Sequence, residues 1–145
     1  MTDSRARFDA LAQWFETLTP ASLRDIDKVY AQTASFRDPF NQVAGVKLIQ
    51  QIYQHMFEQL VEPRFVITAK VVEAASAFMT WQFLFTLRGK DYAIEGGTHF
   101  VLDERGLIAL HRDYWDAAQE LYEKIPVLGA VLRLLRKKLS LQNAA

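Results

Sequence analysis

An α+β domain, with N-terminal helices laid over a curved antiparallel sheet, is the fold class this chain predicts, on three observations. Apolar residues recur at helical spacing through about residue 62, the pattern then changes to period two through about residue 115, and 145 residues at 16.7 kDa are the size of one domain. Half of the residues are hydrophobic and 12% aromatic, enough to bury one core. Lys+Arg and Asp+Glu number 17 each, so there is no basic excess with which to displace counterions from phosphate, and a nucleic-acid partner is not expected. The absence of cysteine removes disulfides, thiol nucleophiles and thiolate metal sites. The start, MTDSRARFD, is polar, and no run approaches the ~18 consecutive apolar residues of a membrane span, so a soluble cytoplasmic protein is expected.

The elements follow in order. Thr2, Asp3 and Ser4 offer capping oxygens to a first helix whose apolar stripe is Phe8, Leu11, Phe15 and Leu18, stopped by Thr19-Pro20. Ser22 and Asp25 have the spacing of a capping box for a short second helix with Leu23, Ile26, Val29 and Tyr30 inward, ending near Gln32. Residues 34–37 read as a brief strand. Asp38-Pro39 with Asn41 and Gly45 is turn chemistry, because proline pushes the residue before it out of the helical region. A third helix from about Val46 turns Ile49, Ile52, Tyr53, Met56 and Leu60 inward until Glu62-Pro63.

Strands are expected over 65–72, 78–88, 91–102 and 107–115, joined by short turns into an antiparallel meander. In the second of these, Met79, Trp81, Phe83, Phe85 and Leu87 share one face, and the other (Phe78, Thr80, Gln82, Leu84, Thr86) is too apolar for open water. Helices can cover one face and a second copy of the chain the other, so a homodimer is expected.

Residues 1–125 are assigned to this domain and 126–145 to a basic C-terminal helix and tail. That tail holds Arg133, Arg136, Lys137 and Lys138 with no acid, a charge of +4 against −4 for the rest of the chain. Val127, Leu128, Val131, Leu132, Leu135 and Leu139 make it amphipathic, suited to docking on the domain or a partner, with contact to a membrane surface as the alternative.

Two stretches carry a resemblance: residues 30–39, YAQTASFRDP, with the later Gly45, and residues 106–116, GLIALHRDYWD. With the order of elements they resemble the nuclear-transport-factor-2-like superfamily, in particular its SnoaL-like and ketosteroid-isomerase-like members, over roughly residues 5–118. The resemblance implies a cone-shaped, cystatin-like α+β barrel, with the C-terminal helix as an addition. It does not imply one activity, since the superfamily hosts isomerases, cyclases, hydrolases, dehydratases and binding modules.

Residue by residue, the resemblance makes Asp38 the general base that moves a proton next to a carbonyl. A turn-capping aspartate is the plainer reading of the same Asp-Pro pair. Tyr30 and Tyr53 fall where ketosteroid isomerases keep supporting tyrosines. Trp14 stands at the position of their donating tyrosine and Thr98 near that of their second donor, an aspartate. Asp113 resembles an aspartate of limonene-epoxide hydrolases, whose remaining Arg and Asp have only Gln82 and Leu84 at the nearest positions; that route is not expected. Asp113 either shares a two-carboxylate pocket with Asp38, or pairs with Arg112 or Arg37.

His111, Asp113 and Trp115 share a face by alternation, so His111 is a candidate proton shuttle. Alternation places Thr98 inward and His99 toward the dimer face, with a pocket-facing His99, implied by the resemblance to SnoaL-like cyclases, as the alternative, and His55 falls among solvated side chains. No histidine pair has metal spacing, and neither a metal nor a cofactor is expected. The candidate site is thus Asp38, Asp113 and His111 for chemistry. Trp14, Tyr30, Phe36, Phe40, Tyr53, Gln82, Leu84, Thr98, Phe100 and Trp115 hold a small apolar carbonyl or hydroxyl compound. The competing expectation is a non-catalytic ligand-binding or protein-interaction module on the same fold.

Overall fold

A computed structural model of the chain describes residues 3–115 and the pair 137–138. Helix α1 (Ser4–Glu16) is capped by the Asp3 carboxylate, which accepts from the Arg5 backbone N–H at 3.0 Å, and it buries Phe8, Leu11, Ala12 and Phe15. The expected second helix is instead a 3-10 helix (Ser22–Lys28) without a side-chain cap. The capping box does not form, because Ser22 and Thr19 satisfy each other: the Thr19 N–H donates to Ser22 Oγ and the Ser22 N–H to Thr19 Oγ1.

Strand β1 (Tyr30–Arg37) begins four residues earlier than the sequence suggests, because Tyr30 pairs with Ile108 across the sheet. A short strand β2 (Gln42–Ala44), hidden within the turn residues, pairs back on β1. Helix α2 (Val46–Gln59) follows Gly45, whose φ of +104° is open to glycine at little cost, and buries Val46, Ile49, Ile52, Tyr53 and Met56. The meander is β3 (Val61–Glu73), β4 (Ser76–Leu87), β5 (Lys90–Leu102) and β6 (Ile108–Tyr114), each within four residues of its expected bounds.

The six strands form one sheet in the order β2-β1-β6-β5-β4-β3. All neighbours are antiparallel except β1 and β6, which run parallel with Phe36 opposite His111 and Arg37 opposite Arg112. The helices lie on one face, where β4 buries Ala77, Met79, Trp81, Phe83, Phe85 and Leu87 in strict alternation. Arg7 fastens α1 to this face: its Nε donates to the Gly106 carbonyl at 2.6 Å and its Nη2 to that of Lys28 at 2.8 Å.

The opposite face leaves Val66, Val71, Phe78 and Tyr114 exposed, Phe78 by 39% and Tyr114 by 45%. Among the described residues no helix is long and apolar enough to cross a membrane. Of the C-terminal segment, only residues 137–138 are described; they are helical, and the Lys138 ammonium donates to Gln59 Oε1 at the end of α2 at 3.1 Å. The rest of the expected tail helix lies outside the described residues.

Candidate functional site

Because β1 and β6 are parallel neighbours with Arg37 opposite Arg112, the residues that follow these two, one just past the end of β1 and the other still within β6, lie side by side at one end of the sheet. Those residues are Asp38 and Asp113. Both line a cavity of about 90 Å³ between the sheet and the helices, together with His111, Thr98, Tyr53, Trp81 and a wall of apolar side chains that includes Phe15, Phe36, Phe40, Phe83, Phe100 and Trp115.

Asp38 uses one oxygen locally. Its Oδ1 accepts the backbone N–H groups of Phe40 at 2.7 Å and Asn41 at 2.6 Å, closing the turn, while among the described residues Oδ2 meets only the Asn41 amide at 3.5 Å. Burial in the apolar pocket, reinforced by the charge of Asp113 and opposed by the turn's hydrogen bonds, raises its pKa to about 6. The turn-capping and pocket-lining readings of this residue therefore both describe its geometry.

Asp113 is the end point of two hydrogen-bonded arms. In one, Trp81 Nε1–H donates to Thr98 Oγ1 at 2.8 Å, and that hydroxyl donates to Asp113 Oδ1 at 2.5 Å. In the other, His111 Nε2 lies 2.8 Å from the same oxygen, His111 Nδ1 lies 2.7 Å from the Tyr30 hydroxyl, and Tyr30 lies 2.8 Å from the Tyr53 hydroxyl. In the tautomer with its proton on Nε2, the imidazole donates to Asp113 Oδ1 and accepts at Nδ1 from Tyr30, which accepts in turn from Tyr53. Burial raises the pKa of both tyrosines well above the ordinary value, so both stay hydrogen-bond donors. Asp113 Oδ2 has no partner among the described residues, and Asp38 Oδ2 has there only its long contact with the Asn41 amide.

Tryptophan 81 reaches Thr98 because β5 has no side chain in its way. A Cβ at Gly96 would fall 2.6 Å from Cη2 of Trp81 and 2.9 Å from Cβ of Trp115, closer than carbon atoms pack. The adjacent Gly97 does the same on the opposite face, where the Phe78 ring lies over it.

Four expected ligand residues are placed elsewhere. Trp14 is half-buried and packs edge-on against Phe15 and Tyr53 instead of lining the cavity, because one residue on a helix is a turn of about 100°; Phe15 points inward in its place. Tyr30 is fully buried behind His111 and Tyr53, away from the cavity surface. Gln82 and Leu84 alternate onto the other face of β4, and Trp81 and Phe83 take the inward positions. Trp81 was findable from the same alternation, which already groups it with Met79 and Phe83.

His99 lies on the outer face, with Nε2 2.8 Å from Ser76 Oγ. His55, expected among solvated side chains, has its Nε2 shielded from water with no hydrogen-bond partner among the described residues. No cluster of three potential metal ligands occurs among the described residues, and no arginine lines the cavity there.

The aromatic-lined cavity and the six-stranded sheet with helices on one face define a fold of the nuclear-transport-factor-2-like, ketosteroid-isomerase-like class. The family model for the SnoaL-like domain matches residues 11–111, most of the chain, and the chain belongs to that family. No curated protein matches it. Among solved structures, TsrD from Streptomyces laurentii is similar at a TM-score of 0.73 and 18% identity, covering 90% of this chain and 99% of its own. An LEH-like epoxide hydrolase from M. tuberculosis gives 0.69 and 13%, covering 90% and 95%. A protein from Catenulispora acidiphila described as having a ketosteroid isomerase-like fold gives 0.67 and 14%, covering 80% and 89%. At these identities the likeness is one of fold.

Proposed function

We propose that this protein is an acid/base catalyst of the isomerase or cyclase type, acting without a cofactor on a small apolar carbonyl or hydroxyl compound, with Asp38 as the base. The observation that carries this reading is a carboxylate held by its own turn on the wall of an aromatic cavity, where burial raises its pKa to about 6. Such a group is ionised at neutral pH yet more basic than an ordinary aspartate. Asp38 Oδ2 would take the proton next to a carbonyl, and the C–H electrons would move onto the carbonyl oxygen. Tyr53, a neutral hydroxyl on the cavity wall, is the donor that can turn from Tyr30 to that oxygen. Tyr30, His111 and Asp113 would hold Tyr53 in place.

The test needs no knowledge of the natural substrate. In heavy water, the protein is expected to speed exchange of the α-hydrogens of small cyclic and acyclic ketones, followed by NMR. The rate should rise with pH through about 6 as Asp38 ionises, and fall about 10²–10⁴-fold in Asp38→Asn. Ketones that bind with no exchange above the solvent background would make the protein a binding module instead.

We also propose that a second copy covers the exposed outer face. Val66, Val71 and Phe78, from β3 and β4, emerge there together, more than a solvated face normally carries. Sedimentation is expected to give twice the 16.7 kDa chain mass, and a monomer at micromolar concentration would refute it.

A further inference from the structure

We infer that the rim of the pocket binds a carboxylate carried by the ligand, gripped between Arg37 and Arg112; this rests on reading the cavity as a small-molecule pocket. The two arginines stand directly opposite each other on β1 and β6. Like charges in that relation destabilise a sheet, and no carboxylate among the described residues lies within ion-pairing distance of either guanidinium. Neither guanidinium is tied up in an ion pair within the described chain, and an anion between the two would offset their like charge.

Both arginines line an open depression of about 600 Å³ at the end of the strands, with Asp38, Pro39, Asp113, Tyr114 and Trp115. Asp38, Asp113 and Trp115 also line the inner cavity, so the two spaces meet at the reactive carboxylates. The Arg112 guanidinium lies 4.9 Å from the centre of the Tyr114 ring, which steadies a side chain that would otherwise move freely.

Size and charge then orient the ligand. The inner cavity, at about 90 Å³, is smaller than the ~150 Å³ void known to take up benzene, so only a compact apolar portion enters. Asp38 and Asp113 repel a second anion from the interior, whereas the outer guanidinium pair offers several N–H donors to a carboxylate. The class that fits is a short keto acid or hydroxy acid whose carbonyl or hydroxyl end lies inside and whose carboxylate stays at the rim.

The test compares 4-oxopentanoate with 4-oxopentanamide, and 5-oxohexanoate with 5-oxohexanamide, by NMR titration of the full chain at low salt. Each acid is expected to bind about tenfold more tightly than its amide, with the preference falling toward one in Arg37→Gln, in Arg112→Gln and in 0.5 M salt. Acid and amide binding alike would overturn the inference and leave the small-molecule pocket intact. Absence of acid binding would overturn it too, with exchange on neutral ketones judging the pocket separately. A change in sedimenting mass in the arginine variants, with the acid preference unaltered, would assign the pair to a subunit contact and equally overturn it.

Discussion

An Asp38→Asn protein is expected to resist urea better than its parent at pH 8, by up to about 3 kcal/mol, while losing proton-transfer activity. The sign follows from the direction of the shift. Burial and the charge of Asp113 raise this carboxyl from 3.8 to about 6, so between those values the native state holds a proton that the unfolded chain has released. Stability must then fall as pH rises through this window, with the full loss present above about 6. Asparagine keeps an oxygen for the Phe40 and Asn41 N–H groups but carries no charge, so it removes the penalty and keeps the turn. Urea titrations of both proteins at pH 4, 5, 6 and 8 check this. The gap should open between pH 4 and 6, and a gap independent of pH would show that the Asp38 charge is not the cause. A more stable, inactive variant is the behaviour of a site that holds a charge where folding alone would not place one.

Tyr30→Phe is expected to cost about 2–4 kcal/mol, far more than removing one hydroxyl from the surface. Tyr30 has 0% of its surface exposed, and its oxygen joins His111 Nδ1 to the Tyr53 hydroxyl. Phenylalanine fills the same space but leaves a buried nitrogen acceptor and a buried hydroxyl donor without partners at once. Tyr53→Phe removes only a donor to Tyr30, whose own hydrogen still reaches His111, and should cost about 1 kcal/mol. Urea unfolding of the two variants measures the difference, and ¹⁵N chemical shifts of the His111 ring report its tautomer. Equal losses would refute the donor order running from Tyr53 through Tyr30 to His111.

Local patterns in the sequence determined the element types. The 3.6-residue stripes on α1 and α2, the alternation on β4 and the short turns between the later strands are all set by neighbours within a few positions, as were the inward Thr98 and outward His99. Where several local options had similar energy, the sequence was less informative: Ser22 could cap a helix or close a turn with Thr19, and the turn won. The strand β2 was invisible for a related reason, since three residues after an Asp-Pro turn carry too little periodicity to register.

The site itself was decided by tertiary structure. Asp38 and Asp113 stand together only because β1 and β6 pair in parallel, a register set by contacts between segments some 70 residues apart, and no local pattern encodes it. Side-chain direction is equally a matter of one position: a helix turns by about 100° and a strand by about 180° per residue. That is why Phe15 faces the cavity where Trp14 was expected, and Trp81 and Phe83 where Gln82 and Leu84 were. Residue types and spacing determined what chemistry the chain could carry, whereas the long-range packing of sheet and helices decided which atoms meet, because that packing is where the free energy of burial is gained.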